Sequence, residues 1–287
     1  MSDEPKKIVA LVDGSVYSAS VCQYAAWLSG RTSAPVELIH VLGRREVAAT
    51  DDHSGAIALG ARSALLEKLA SLDAERAKLI GQRGRAVLDD ARQIVEQAGL
   101  SDITTRLRHG DLLETVAAAE PDARAIIIGK RGEAADFAKG HLGSNLERIV
   151  RATRKPVLVA SRSFRAVSKV LVAYDGGESA RKVLDHIATS PTFKGLSLHL
   201  VTVGSENADV KAALTEAAAA LKAAGLEAET LIVPGQPETA LAKLVDEAGY
   251  DMLMMGAYGH SRIRSLIIGS TTTAMIRSCK VPVVLMR

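Results

Sequence analysis

The segment Lys7-Ile8-Val9-Ala10-Leu11-Val12-Asp13, which runs into Gly14-Ser15, decides the fold because it occurs twice. Its counterpart is Lys169-Val170-Leu171-Val172-Ala173-Tyr174-Asp175, which runs into Gly176-Gly177. Each is an aliphatic run that stops at an Asp-Gly turn and gives way to a helical pattern. Working outward, the order of features repeats. Second aliphatic runs follow at 37–42 and 197–203, later ones at 125–129 and 251–256, and last ones at 156–160 and 282–286. A repeat on this scale marks a duplication.

Between the runs the hydrophobic period changes to that of helices. Residues 18–29, 112–119 and 144–152 suit crossover helices, as do their second-half counterparts, and Gly99 and Gly225 stand where helices end. With strands at 104–107 and 229–233 each half counts five strands. Aliphatic strands alternating with helices predict an α/β fold: two tandem flavodoxin-like or Rossmann-like domains, each a five-stranded parallel sheet with helices on both faces. The expected domains are 1–163 and 164–287, joined by a short polar segment at 161–168. A length of 287 residues suits two domains. The first carries an insertion at 44–85, with helical spacing from Leu65 to Ile80, where the second has only an Ala-rich helix at 207–224. The insertion is read as a surface excursion or extended helix without chemistry of its own, with a partner-binding or lid role as the alternative.

Composition narrows the function. Hydrophobic residues make up 47%, charged residues 24% and aromatics 3% of the chain. The core must therefore be built from Val, Ile, Leu and Ala, as buried parallel strands are. A formal charge of +3 with no basic tract argues against a nucleic-acid or membrane partner. No apolar run reaches the length of a membrane span, and the polar start does not resemble a signal peptide. Cys22 and Cys279 stand alone in helical patterns and are expected as buried free thiols, which points to the cytoplasm. The seven histidines show no metal-ligand spacing. His40 and His199 are expected to be satisfied within the sheet.

The chemistry sits after the fourth strand of each half. In the second half Gly256 is followed by Gly259, then after nine residues by Gly269-Ser270, which opens a helix. The first half has Gly129, Gly132 and, after ten residues, Gly143-Ser144. Glycines let backbone N–H groups approach an anion. A serine at a helix N-terminus adds a hydroxyl where free amides favour negative charge. Ligands of open α/β sheets also bind beyond the carboxyl ends of the strands. The competing reading is a tight turn with a serine cap, and Asp175 would then simply cap its Asp-Gly turn. Lys130, Arg131, His260, Arg262 and Arg264 stand near the loops as candidates to neutralise phosphate. A Walker-type loop is absent.

The spacing Gly-x2-Gly-x9-Gly-Ser, behind a first strand ending in Asp-Gly, resembles the ATP-binding branch of the universal stress protein family. The resemblance covers nearly the whole chain, once per half. It implies that Asp175 and Val203 hold the adenosine, and that Gly256, Gly259, Gly269 and Ser270, with Thr271, hold the phosphates. The first-half positions are Asp13, Val41, Gly129, Gly132, Gly143 and Ser144. There the spacer is one residue longer and Asn145-Leu146 replace a hydroxyl pair, so the second half is expected to be the better site. The implied function is ATP binding in a cytoplasmic stress-response protein, with ADP or AMP as alternatives and Mg²⁺ as a companion ion. No dedicated catalytic residue is assigned. The alternatives are a nucleotide-free interaction scaffold and an ATP-dependent hydrolase or ligase of slow turnover; for the latter, Asp175-Gly-Gly-Glu-Ser179 faintly resembles the phosphate loop of ATP-pyrophosphatase-type ligases. The resemblance also implies an intramolecular pseudo-dimer. The short, aliphatic fifth strands would pair antiparallel, since linkage in one chain holds the two edges at high effective concentration. Any homodimer would then use another surface.

Overall fold

A computed structural model describes residues 6–43, 59–131, 144–257 and 270–287. The first half contributes β1 (Lys7–Leu11), α1 (Ser18–Thr32), β2 (Val36–Leu42), α2 (Leu59–Gln97), β3 (Ile103–His109), α3 (Leu112–Ala119), β4 (Ala123–Gly129), α4 (Ser144–Ala152) and β5 (Val157–Ala160). The second contributes β6 (Lys169–Ala173), α5 (Glu178–Thr189), β7 (Ser197–Val203), α6 (Ala208–Ala223), β8 (Ala228–Val233), α7 (Pro237–Glu247), β9 (Met252–Gly256), α8 (Ser270–Ser278) and β10 (Val283–Met286).

The strands form one ten-stranded sheet in the order β3-β2-β1-β4-β5-β10-β9-β6-β7-β8. Neighbours are parallel within each half, and the halves meet through the antiparallel pair β5–β10, as expected, with Val284 opposite Leu158. The order reads the same from either edge, so a pseudo-twofold axis passes between these two residues.

Alternation along the strands explains why both faces are covered. Ile8, Ala10 and Val12 belong to one apolar cluster, with side chains of α1, α2, α5 and α6. Val9 and Leu11 belong to the other, with side chains of α3, α4, α7 and α8. A strand buried on both faces must be continuously aliphatic, which is the pattern quoted from the sequence. The segment between β5 and β6 is tied down. The Ser20 hydroxyl donates to the Ser161 carbonyl at 2.6 Å, Tyr24 and Ser161 share a hydroxyl contact at 3.0 Å, and the Phe164 ring stacks edge-on against Tyr24 at 4.9 Å.

The insertion takes the extended-helix form of its expected alternatives. The helical spacing expected from Leu65 to Ile80 is part of a longer helix that runs unbroken from Leu59 to Gln97, a span of 39 residues and about 58 Å. Its C-terminal part is the counterpart of α6: Leu88, Ala91 and Val95 are buried as Leu214, Ala217 and Leu221 are. Gly84, within this helix, serves close packing. A Cβ there would lie 2.8 Å from Leu107 Cδ1 and 3.2 Å from His40 Cδ2, so this is where the helix settles on the sheet.

Both cysteines are buried and unpaired. Burial pushes the Cys22 thiol up to about 12, and it pushes Cys279 up to about 11 against the opposing pull of Lys130. Thiolates are the reactive form. A disulfide reagent should therefore label neither thiol in the native chain and both after denaturation. Rapid labelling of the native protein would contradict this packing.

Candidate functional site

The carboxyl ends of parallel strands carry the described strand-end residues that the sequence singles out in each half. In the second half β6 lies between β9 and β7. Asp175 follows β6 closely, Val203 ends β7, and Gly256 ends β9. The chain turns at Gly176, whose φ of +73° is left-handed, and Asp175 Oδ1 accepts the Gly177 N–H at 2.8 Å. This is the turn-capping role weighed for Asp175, and it fixes the direction in which α5 departs. Val203 is half-buried against the cluster that includes α7 and α8.

The local fold brings the start of α8 back to the end of β9. The Thr272 hydroxyl donates to the carbonyl of Ala257, the residue after Gly256, at 3.1 Å, and the Ala257 N–H donates to the Met286 carbonyl at 2.7 Å. Thr272, in the first turn of α8, is thus held against the residue that follows β9. The N-terminus of α8 starts beside this strand end, and the first amides of a helix have no partner within it. Thr271 is placed differently from its expected role: its hydroxyl donates to Glu238 Oε1, in the first turn of α7, at 2.9 Å.

Gly132, Gly143, Gly259 and Gly269 lie outside the described residues, as do His260, Arg262 and Arg264. The backbones of Ser144 and Ser270 open α4 and α8; their side chains lie outside the description too. Gly256 and Gly129 have a packing reason of their own. A Cβ on Gly256 would sit 2.6 Å from Ser179 Cβ and 3.2 Å from the Ala180 nitrogen, and one on Gly129 would sit 2.6 Å from Tyr17 Cβ. The missing side chain admits the first turn of α5 or the residue preceding α1.

In the first half Asp13 Oδ1 accepts the Ser15 N–H at 3.0 Å and the Ser18 hydroxyl at 3.3 Å, while Ser18 Oγ accepts the Asp13 and Gly14 N–H groups. Val41 is half-buried on β2, in register with Arg108. Where the second half has Thr272 bonded to the Ala257 carbonyl, the first half has Leu146, which is buried in the core and cannot make that bond. The halves therefore differ at this position of the following helix as well as in the length of the spacer before it.

Lys130 is not a phosphate partner in this arrangement. Its ammonium donates to the Cys279 carbonyl in the other half, and burial lowers its pKa. The charge caps the C-terminal end of α8, where helix carbonyls favour a cation. Arg287 does the same for the Arg151 carbonyl in the last turn of α4. Each half thus supplies a cation to the last helix of the other. Sequence reasoning missed both ties because they cross the seam between halves. His40 and His199 are satisfied within the sheet, His40 Nδ1 by the Val12 carbonyl at 2.7 Å and His199 Nε2 by the Ser197 hydroxyl at 2.9 Å. A cavity of about 270 Å³ opens beside α3, lined by Arg106, Arg108, His109 and Asp111 among others; none of the sequence-predicted site residues lines it. Among the described residues no helix is long and apolar enough to cross a membrane.

A family model described as the universal stress protein family matches residues 4–161 and again residues 166–287. A universal stress protein of Synechocystis is 39% identical over 286 residues, which cover 98% of this chain and 100% of that protein. A solved universal stress protein of Archaeoglobus fulgidus has a similar fold, with a TM-score of 0.71 at 22% identity over 99% of each chain. A solved structure from Pseudomonas aeruginosa is also similar in fold, at a TM-score of 0.61 and 16% identity, over 98% of this chain and 93% of that one.

Proposed function

The chain belongs to the universal stress protein family, and from that premise we propose that its second half binds an adenine nucleotide, ATP before ADP or AMP. The observation that carries the proposal is the clasp between Thr272 and Ala257. It holds the first turn of α8 beside the end of β9, where Gly256 stands, and β6 and β7, which lead to Asp175 and Val203, follow β9 in the sheet. Amides at a helix start suit phosphate, and strand ends suit the nucleoside. The site residues are those the sequence singles out: Asp175, Val203, Gly256, Gly259, Gly269 and Ser270. Thr271 would have to exchange Glu238 for phosphate. Binding, rather than rapid turnover, is the event proposed, in a cytoplasmic stress-response protein.

The test is calorimetric titration with ATP. One site per chain is expected, because Leu146 replaces the clasping threonine in the first half. Gly259→Val, which adds bulk where the anion approaches, should weaken binding at least about tenfold without lowering the unfolding temperature. Undiminished affinity in that variant, or two equivalent sites per chain, would refute the assignment. The nucleotide-free scaffold draws on one observation of its own: Asp175 and Thr271 already have partners within the chain. Protein that releases no adenine nucleotide on denaturation and shows no heat with ATP would favour it.

A further inference from the structure

The part of α2 before its close approach at Gly84 has no counterpart in α6, which begins at Ala208. Every residue from Glu67 to Leu79 is exposed except half-buried Leu69. On this arm Leu65, Leu72 and Leu79 recur every seven residues and are 39%, 53% and 58% exposed. Single exposed leucines are ordinary. Three on one stripe of a helix, with Leu69 between the first two, form the seam of a short coiled coil. We propose that this arm is a dimerisation element, through which two copies of the chain join by pairing α2 antiparallel.

Charge decides both the occupant and the direction. Lys68 and Glu75 flank the leucine stripe on the same side, one heptad apart. When the helix meets a second copy running the opposite way, with Leu69 opposite that copy's Leu72, each Lys68 comes beside the other chain's Glu75. The pairing is self-complementary, which is what a twofold contact between identical chains requires. In a parallel, in-register pair Arg76 would face Arg76 across the seam, a like-charge contact that opposes association. The antiparallel register instead sets Arg76 against Leu65, over which its aliphatic stem can lie. From Leu59 to Gly81 the arm is about 34 Å long. Two such helices bury on the order of 1,000 Å², near the low end for specific interfaces, so the dimer is reversible.

Sedimentation of the full chain over roughly a hundredfold concentration range tests the proposal. A concentration-dependent monomer–dimer equilibrium is expected. Lys68→Glu alone and Glu75→Lys alone should each shift it toward monomer by roughly tenfold or more, and the two together should restore it. Replacing Leu65, Leu72 and Leu79 with serine should leave a monomer whose thermal midpoint is unchanged. A chain that is monomeric throughout, a dimer that survives the triple serine variant, or a charge exchange that fails to restore association would each overturn the proposal.

Discussion

Gly256→Val is expected to destabilise the chain by about 3 kcal/mol and to lower its thermal midpoint by roughly 6–12 °C. The cause is steric. The new Cβ would sit 2.6 Å from Ser179 Cβ and 3.2 Å from both the Ser179 carbonyl carbon and the Ala180 nitrogen. Two of these neighbours are backbone, so relief requires moving the first turn of α5. That turn is held by the Asp175 cap and by Ser179 and Ala180, both buried against the sheet. The equivalent change Gly129→Val meets the Tyr17 side chain, at 2.6 Å from Cβ and 3.2 Å from Cγ. A side chain yields more readily than a helix start, so this variant should cost less. Equal losses at the two positions, or a Gly256→Val chain melting within about 2 °C of the native one, would show that the approach is slacker than described. A second consequence concerns the proposed nucleotide site: Gly256 is a poor position at which to test it, because loss of binding there would follow from loss of fold. Gly259 is the better probe.

The contrast shows where the sequence speaks and where it is silent. The two Asp-Gly strand ends, the eight aliphatic runs and the seam between β5 and β10 were legible because each rests on a local pattern. A strand buried on both faces must be aliphatic, and an edge that ends each half invites pairing with its duplicate. The motif residues were legible as a group, but their individual jobs were not. Asp13 and Asp175 cap turns, Gly129 and Gly256 admit a neighbouring turn, and Thr271 reaches Glu238; each assignment depends on a partner distant in space or on a backbone angle. Lys130 is the plainest case. Its position beside a glycine loop suggested phosphate, whereas its true neighbour, the Cys279 carbonyl, lies far along the chain in the other half. The continuity of α2 through Gly81 and Gly84 was hidden for a related reason. Glycine lowers helix propensity, but close packing against Leu107 and His40 overrides that preference.

Acid should weaken the fold in a window set by His186. The imidazole is half-buried on α5 with the Phe193 ring edge-on at 5.8 Å. Burial first, and then the positive charge of Arg124, lowers its pKa to about 4. The neutral form is therefore favoured in the folded chain, while the unfolded chain titrates near the ordinary histidine value of about 6.5. Between these values the unfolded state binds the additional proton, so stability is complete above about 6.5 and falls as pH drops toward about 4. The full shift corresponds to about 3 kcal/mol, and the ring's partial exposure trims the expected loss to about 2 kcal/mol. His199, also lowered by burial against the opposing pull of Glu229, adds a smaller loss of the same sign. Asp111 and Asp251 are held below the usual carboxylate range by the hydrogen bonds they accept, so their contributions vanish only at lower pH. Urea midpoints measured from neutral pH down to about pH 4.5 should fall steadily in the native chain. His186→Leu should flatten most of that slope, because an aliphatic side chain keeps the packing against Phe193 and removes the proton acceptor. A slope as steep in the variant as in the native chain would assign the acid sensitivity to other groups.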